Sequence, residues 1–398
     1  MHLPLFLGAA ALAVSLPALA QTAAPADFTR CIDGLQGEAR ASGVSEATYR
    51  QLTRGLVPDM GVIDKLNDQP EFQMPIWDYL SGLVDDERVQ MGQTLLKQHA
   101  AVLEQVQRRF GVPLETVVAV WGVESNFGQS QGRYPLVQAL GTLSCYGRRQ
   151  SFFRGELFTA MRIVQAGHIA PERLNGSWAG AFGHTQFMPS ASERLAVDGD
   201  GDGRRDLIDN TADALASTAN FLARAGWQSG QPWGFEVRLP PGLDTADEGR
   251  RSKRPISEWS ARGVRKVDGS PLPGALGNAG LMTPAGPKGP AFLVFRNFDA
   301  IYSYNAAESY GLAIAHLSDR LAGSGPFTTP WPTDDPGLSR AERRELQILL
   351  LLNGHDVGLV DGMLGDRSRA AIRVEQTRLG QTVNGRGGMK LLKALRAG

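Results

Sequence analysis

Val117-Val118-Ala119-Val120-Trp121-Gly122-Val123-Glu124-Ser125-Asn126-Phe127-Gly128 is the stretch on which the reading of this chain turns. Pro113 suits the first turn of a helix, and the residues after it carry a helical pattern. At helical spacing Glu124 lies three residues after Trp121, four after Val120 and seven after Val117, so a carboxylate shares the apolar face. Desolvation on such a face disfavours the charged form and raises the pKa. A carboxylic acid that stays protonated near neutral pH can protonate a glycosidic oxygen. The competing reading is a Glu at the helix C-terminal end that points to solvent.

A chain of 398 residues can hold two or three domains. With 42% hydrophobic and 21% charged residues, it reads as soluble and globular. Zero formal net charge argues against a strongly basic nucleic-acid binder. From Leu338 onward, however, 11 Lys and Arg face 6 Asp and Glu, so the tail is basic and the rest acidic. Residues 1–20 read as a secretory signal, with an apolar run from Leu3 to Leu16 and Ala18-Leu19-Ala20 before Gln21. That run is too short for a membrane span, and no Cys follows the cleavage site to carry a lipid. A soluble, exported protein is the expectation. Cys31 and Cys145 are then expected to form one disulfide. No C-x-x-C or H-E-x-x-H cluster suggests zinc.

Residues 27 to about 225 are dominated by helical patterns, including a stripe from Val89 through His99 to Phe110 that Gly111 would stop. Between Gly230 and Pro290, Phe235–Leu239 and Phe292–Phe295 look like strands of a small β-containing insertion. Helical pattern returns from Tyr304 to Leu321. Residues 323–337, with four prolines, read as a semi-stiff linker. Beyond it a unit of three helices is expected. Ser339-Arg340-Ala341-Glu342 forms a capping box for the first, Asp366 caps the second, and Met389–Leu395 makes the third.

Three further segments carry chemistry. In Ser177-Trp178-Ala179-Gly180-Ala181-Phe182-Gly183-His184-Thr185-Gln186-Phe187-Met188-Pro189-Ser190, small residues permit close backbone approach. Gln186 can bond sugar hydroxyls there, and Phe187 offers a stacking face. His184 reads as structural. Asp198, Asp200 and Asp202 occupy positions 1, 3 and 5 of a calcium loop with Gly203 at 6 and the Arg204 carbonyl at 7. Asp209 stands where Glu is usual, and Asp213 is the other carboxylate that could close the site. Tyr304 and Tyr310 flank Asn305 in a pattern that suits carbohydrate.

These motifs, in this order, resemble the lytic murein transglycosylase B family over residues 27–322. Cys145-Tyr146-Gly147-Arg148-Arg149 and Asn220-Phe221 add to the likeness. Residues 338–396 resemble a type 1 peptidoglycan-binding domain, through Leu346-Gln347, Asp361-Gly362, Gly365 and Ala370-Ala371-Ile372. The resemblance implies a mainly α (α+β) protein: a lysozyme-like helical core with an EF-hand-like calcium loop, a small β-containing insertion and a three-helix C-terminal domain. It implies cleavage of the MurNAc-β-1,4-GlcNAc bond to a 1,6-anhydro end, with Glu124 as acid and then base. Ser177, Gln186, Phe187, Tyr304, Asn305 and Tyr310 would line the glycan groove, and Ser125, Arg148, Arg149 and Phe221 are further substrate-binding candidates. Phe221 stands where the family has a tyrosine, and the family's closing calcium carboxylate matches Asp213 better than Asp209. Calcium would be structural, with no organic cofactor. The partner would be peptidoglycan glycan strands in the periplasm, with no nucleic acid and no membrane span. A hydrolytic muramidase and a non-catalytic wall-binding scaffold are the alternatives.

Overall fold

The computed structural model describes residues 25–67 and 74–398, so the signal read at 1–20 lies outside the described residues. The fold is mainly helical with small sheets. Two apolar cores hold the helical body together. One gathers Leu103, Val117 to Trp121, Phe298, Leu312 to Ala315 and Leu317. The other gathers Phe28, Ile32, Leu136, Leu140, Leu157, Phe182 and Phe187. Phe221 and Tyr304 pack against both, so the seam between the cores runs through the motif residues.

The stripe from Val89 to Phe110 is two helices, Asp86–Gln98 and Ala100–Phe110, with His99 as the joint at φ −104° and ψ 19°. Periodicity survived the break because both helices bury the same side. Gly111 ends the second at φ 68°. Tyr304 to Leu321 is likewise interrupted: Arg296–Asn305 ends at Ala306 (φ 48°), and Glu308–Leu321 follows.

The insertion forms a five-stranded antiparallel sheet in the order Arg254–Pro255, Asn278–Met282, Ala291–Val294, Gly234–Arg238, Arg265–Lys266. The central strand Ala291–Val294 is wholly buried, consistent with its unbroken apolar sequence. Val237, Trp259, Leu281 and Leu293 fill a separate small core beneath it.

Cys31, on the first helix Ala26–Ala41, is bonded to Cys145 at the end of Leu136–Cys145 across 114 residues of sequence. Closing a loop of that length restricts the unfolded chain by about 4–5 kcal/mol in the chain-entropy account.

The tail contains Arg340–Leu352, Asp366–Arg378 and Met389–Arg396 around Leu346, Leu350, Ile372 and Leu392. The capping box at Ser339 is complete: its side chain accepts from Glu342 N, and Glu342 accepts from Ser339 N. The second helix differs from expectation, since Gly365 is its N-cap and Asp366 is its first residue, where a carboxylate still favours the helix dipole.

Residues 323–337 and the tail pack onto the helical body and the sheet of the insertion. Phe327 stacks on His316 at 3.8 Å, and Glu236 accepts from the backbone of Thr328 and Thr329. Arg386 grips Asp78 through two nitrogens at 2.5 and 2.7 Å and also pairs with Asp335. Asp85, almost fully buried, caps its own helix through Arg88 N and accepts at 3.2 Å from Arg340 N, the first residue of the tail helix.

Candidate active site

Glu124 is the penultimate residue of the helix Leu114–Ser125, which Pro113 caps. That helix is buried on all sides from Thr116 to Gly122, more than one apolar face requires. It ends in three successive left-handed residues, Asn126 (φ 50°), Phe127 (φ 59°) and Gly128 (φ 83°). The turn folds Phe127 back over the helix. A Cβ on Gly122 would lie 2.7 Å from the Phe127 ring, and one on Gly128 would lie 2.4 Å from His184 Nδ1. Both glycines are therefore demanded by close packing.

Several groups fix the end of this helix. Ser125 Oγ accepts from Gly128 N at 2.8 Å and donates to the His184 carbonyl. Trp121 Nε1 donates to His184 Nδ1 at 3.0 Å, and burial lowers the His184 pKa. His184 is thus a neutral acceptor that aligns Trp121, in keeping with its structural reading. Arg88 donates to the Gly122 carbonyl at 3.0 Å, placing a cation at the negative end of the helix. Burial lowers the Arg88 pKa to about 10, so it remains charged at neutral pH. Sequence reasoning passed over Arg88. Its signal is an arginine beside Val89 on the inward side of an amphipathic helix, with Asp85 as N-cap.

Glu124 keeps partial solvent access, but the surrounding protein desolvates its carboxyl. Its pKa rises to about 7, because burial outweighs the opposing hydrogen bond from Tyr310. Tyr310 OH donates to Oε1, so in the acid form the proton sits on the other oxygen. Among the described residues no cation or second carboxylate contributes to the shift. Tyr304 stacks beside Tyr310 at 6.3 Å and 22°, and its hydroxyl donates to the Thr185 carbonyl at 2.8 Å. Phe221 lies 4.5 Å from Tyr304, and Phe187 packs edge-on to both.

The other expected residues fall in three groups. Gln186 holds φ 50° and spends its NH2 on the Gln131 and Gly183 carbonyls at 3.0 and 2.8 Å, which leaves its carbonyl oxygen for a sugar donor. Asn305 is exposed beside Tyr304, and Ser177 accepts from Ala181 N at 3.0 Å to shape its loop. Phe187 is only 2% exposed and backs the aromatic wall instead of presenting a stacking face. Ser125 is 1% exposed and works on the protein side of the helix end. Arg148 donates to the Leu66 carbonyl at 2.6 Å and Arg149 lies 4.4 Å over Phe152. Those contacts hold both arginines on the disulfide side, and none joins them to Glu124.

Asp198, Asp200 and Asp202 each turn one carboxylate oxygen to a common point, within 4.8 Å of one another. Three hard oxygen donors converging on one point fit calcium. Asp209 is instead paired with Arg173, Oδ2 accepting at 2.9 Å. Asp213 is fully buried and accepts from Gly199 N and Asp206 N, both at 2.7 Å, tying the two ends of the loop together.

The sequence pattern of the transglycosylase SLT domain matches residues 27–319, and that of a peptidoglycan binding domain matches 339–395. The chain belongs to the transglycosylase SLT-domain family, the lytic transglycosylases. It is 32% identical over 246 residues to membrane-bound lytic murein transglycosylase B of Escherichia coli (strain K12), a match spanning 61% of this chain and 66% of that protein, just under two thirds of its length. The crystal structure of SltB3 from Pseudomonas aeruginosa in complex with NAG-anhNAM-pentapeptide is 44% identical, with a TM-score of 0.76 over 94% of this chain and all of that one. A calcium complex of an Escherichia coli lytic transglycosylase is 28% identical, with a TM-score of 0.64 over 75% of this chain and 93% of that one.

Burial sets the Glu124 pKa, and the Tyr310 hydroxyl moderates the rise. That hydroxyl favours the carboxylate, so Tyr310→Phe raises the Glu124 pKa. Activity that needs protonated Glu124 is lost as pH rises through about 7 in the wild type. In the variant the alkaline limb of the kcat/KM profile should move to higher pH. An unmoved or lowered limb would separate that limb from Glu124.

Proposed function

We propose that this chain cleaves the MurNAc-β-1,4-GlcNAc bond of peptidoglycan without water, leaving 1,6-anhydro-MurNAc ends, with Glu124 as the single general acid and base. The observation that carries the reading is a carboxyl with a pKa of about 7, desolvated beside two tyrosines, with no second carboxylate acting on it among the described residues. A hydrolytic route would need a second carboxylate or a placed water.

Protonated Glu124 gives its proton to the glycosidic oxygen as the C1–O bond breaks. Positive charge develops at the anomeric carbon, where the substrate's own acetamido oxygen assists. The glutamate then takes the proton of the C6 hydroxyl as that oxygen bonds to C1, which restores the acid. Atoms and protons balance with no water consumed. The wall of Tyr304, Tyr310 and Phe221 helps to exclude water from the step. Gln186, Asn305 and Ser177 orient the strand.

Residues 27–322 form the catalytic unit in this reading, 323–337 its connection, and 338–396 a wall-binding unit that raises local substrate concentration. Calcium is the ion of the Asp198–Asp202 loop. Asp213 suits the closing role better than Asp209, which is occupied by Arg173. The ion would brace the segment between the Gln186 loop and the helix Thr211–Arg224, which carries Phe221. The periplasm is the compartment that fits the leader pattern, the oxidised cysteine pair and the substrate. No helix among the described residues is long and apolar enough to cross a membrane.

Digestion of purified sacculi should release anhydro-ended muropeptides by mass spectrometry, and Glu124→Gln should lower the rate by roughly 10²–10⁴-fold while glycan binding persists. Reducing-end muramic acid among the products would make the enzyme a muramidase. An ion that binds only the folded state stabilises it, so excess calcium should raise the melting temperature over chelator. Equal melting temperatures in the two conditions would remove calcium from the account.

A further inference from the structure

The tail is seated on the body by fitted contacts as well as by its linker. Asp78 of the helix Ile76–Leu83 takes both prongs of Arg386, and Glu87 pairs with Arg344 of the tail helix Arg340–Leu352. The backbones pack as closely. A Cβ on Gly82 would overlap the Arg343 guanidinium, and one on Gly337 would overlap Ser81 Oγ. Asp85 adds a buried polar contact to this seat: its Oδ2 accepts from Arg340 N at 3.2 Å, while its Oδ1 accepts from Arg88 N at 2.8 Å.

Arg88 is the weak point beneath the seat. It is only 8% exposed, its Nη1 donates to the Gly122 carbonyl, and among the described residues its Nε has no partner. Burial is the main penalty on its charge. Asp85 opposes that penalty, and the tail cations Arg340 and Arg343 add to it. A buried guanidinium with an unsatisfied donor gains by turning to water. Enclosure denies it that escape. Arg340 and Arg343 lie close enough to act on its charge, so the start of the tail helix is part of its cover. The Gly122 carbonyl also accepts from Asn126 N at 3.1 Å, the bond that turns the chain just after Glu124. One carbonyl thus receives both the arginine and the turn.

We propose that the docked tail holds Arg88 on the Gly122 carbonyl, and with it the helix end that carries Glu124, so that the tail sets the turnover rate as well as wall binding. The proposal rests on the lytic activity proposed above and adds Asp85 and Arg88 to it as positioning residues. Both act on Glu124 through the backbone of its helix. With the tail released, Asp85 loses the Arg340 N–H, Arg88 gains a path to water, and the Gly122 carbonyl loses the cation that favours the negative end of the helix. The helix end is then free to fray at the residue whose placement the reaction needs.

The full-length double variant Arg386→Ser with Gly337→Val removes the clamp and wedges the seat, and small-angle scattering should show the tail released as a larger radius of gyration. On a short soluble GlcNAc–MurNAc oligomer its kcat should fall about tenfold to a hundredfold, the effect of a slightly misplaced catalytic group, with KM nearly unchanged. Hydrogen exchange of the amides from Gly122 to Gly128 should quicken in the same variant, because the helix end opens locally more often. Arg88→Met in the docked enzyme should reproduce the loss. Releasing the tail of Arg88→Met should add nothing, since both changes break one path. Wild-type kcat and exchange in the released variant, with weaker pelleting on sacculi, would make the tail a tether only and overturn the proposal. Losses that multiply in the combined variant would overturn it too, because the tail would then act by another route. Exchange needs no substrate. It still decides the coupling if Arg88→Met does not fold, or if the wild type leaves no anhydro ends and the lytic reading falls.

Discussion

Glu124 has to be kept from water without being given a cation, because a guanidinium at its side would hold the carboxyl ionised at neutral pH. The molecule meets this by placing the carboxyl near the end of a helix that is buried from Thr116 to Gly122, at the seam of two apolar cores. A hydroxyl from Tyr310 is the polar partner. The basic group that does approach, Arg88, is directed to the Gly122 carbonyl and so neutralises the helix end without touching the acid. Gly122 and Gly128 follow from the same demand, since the turn that closes the helix must fold Phe127 and His184 tightly against it.

The helix that ends at Glu124 was legible because its signals are local. Apolar spacing, Pro113 and a lone carboxylate among Val117, Val120 and Trp121 are all within one short stretch. The convergence of Asp198, Asp200 and Asp202 was legible for the same reason, as alternating Asp and Gly. What escaped depends on contacts between distant segments. Arg88 is 34 residues from the carbonyl it caps. Phe187 and Ser125 stand in motifs that read as substrate-facing, but side-chain direction at a left-handed turn cannot be inferred from spacing. Each proves to be inward, Phe187 against Phe221 and Tyr304, and Ser125 against the His184 backbone. Asp209 looked available because its register fits a loop terminus, and Arg173, 36 residues earlier, engages it. His99 hid a break between two helices because both bury the same stripe.

The tail illustrates how a segment can look like a tether and also dock. Its prolines and glycines suggest a spacer, yet Phe327 stacks on His316, and Arg386 and Arg340 reach Asp78 and Asp85. Asp85 caps the helix that carries Arg88, so the tail helix and the end of the Glu124 helix are joined through two buried side chains. Exposed ion pairs contribute little singly. Arg386 and Asp78 are largely screened from solvent and paired in two-pronged geometry, which gives the docked arrangement its specificity.

The account stands or falls on the protonation of one side chain. The most direct measurement is a titration of the Glu124 carboxyl by difference infrared or carbon NMR spectroscopy, with Glu124→Gln as the blank. The structure calls for a midpoint of about 7, with the acid form present at neutral pH. A midpoint in the ordinary glutamate range would mean that the carboxyl is solvated or paired in solution, and Glu124 could not then be the acid that starts the reaction.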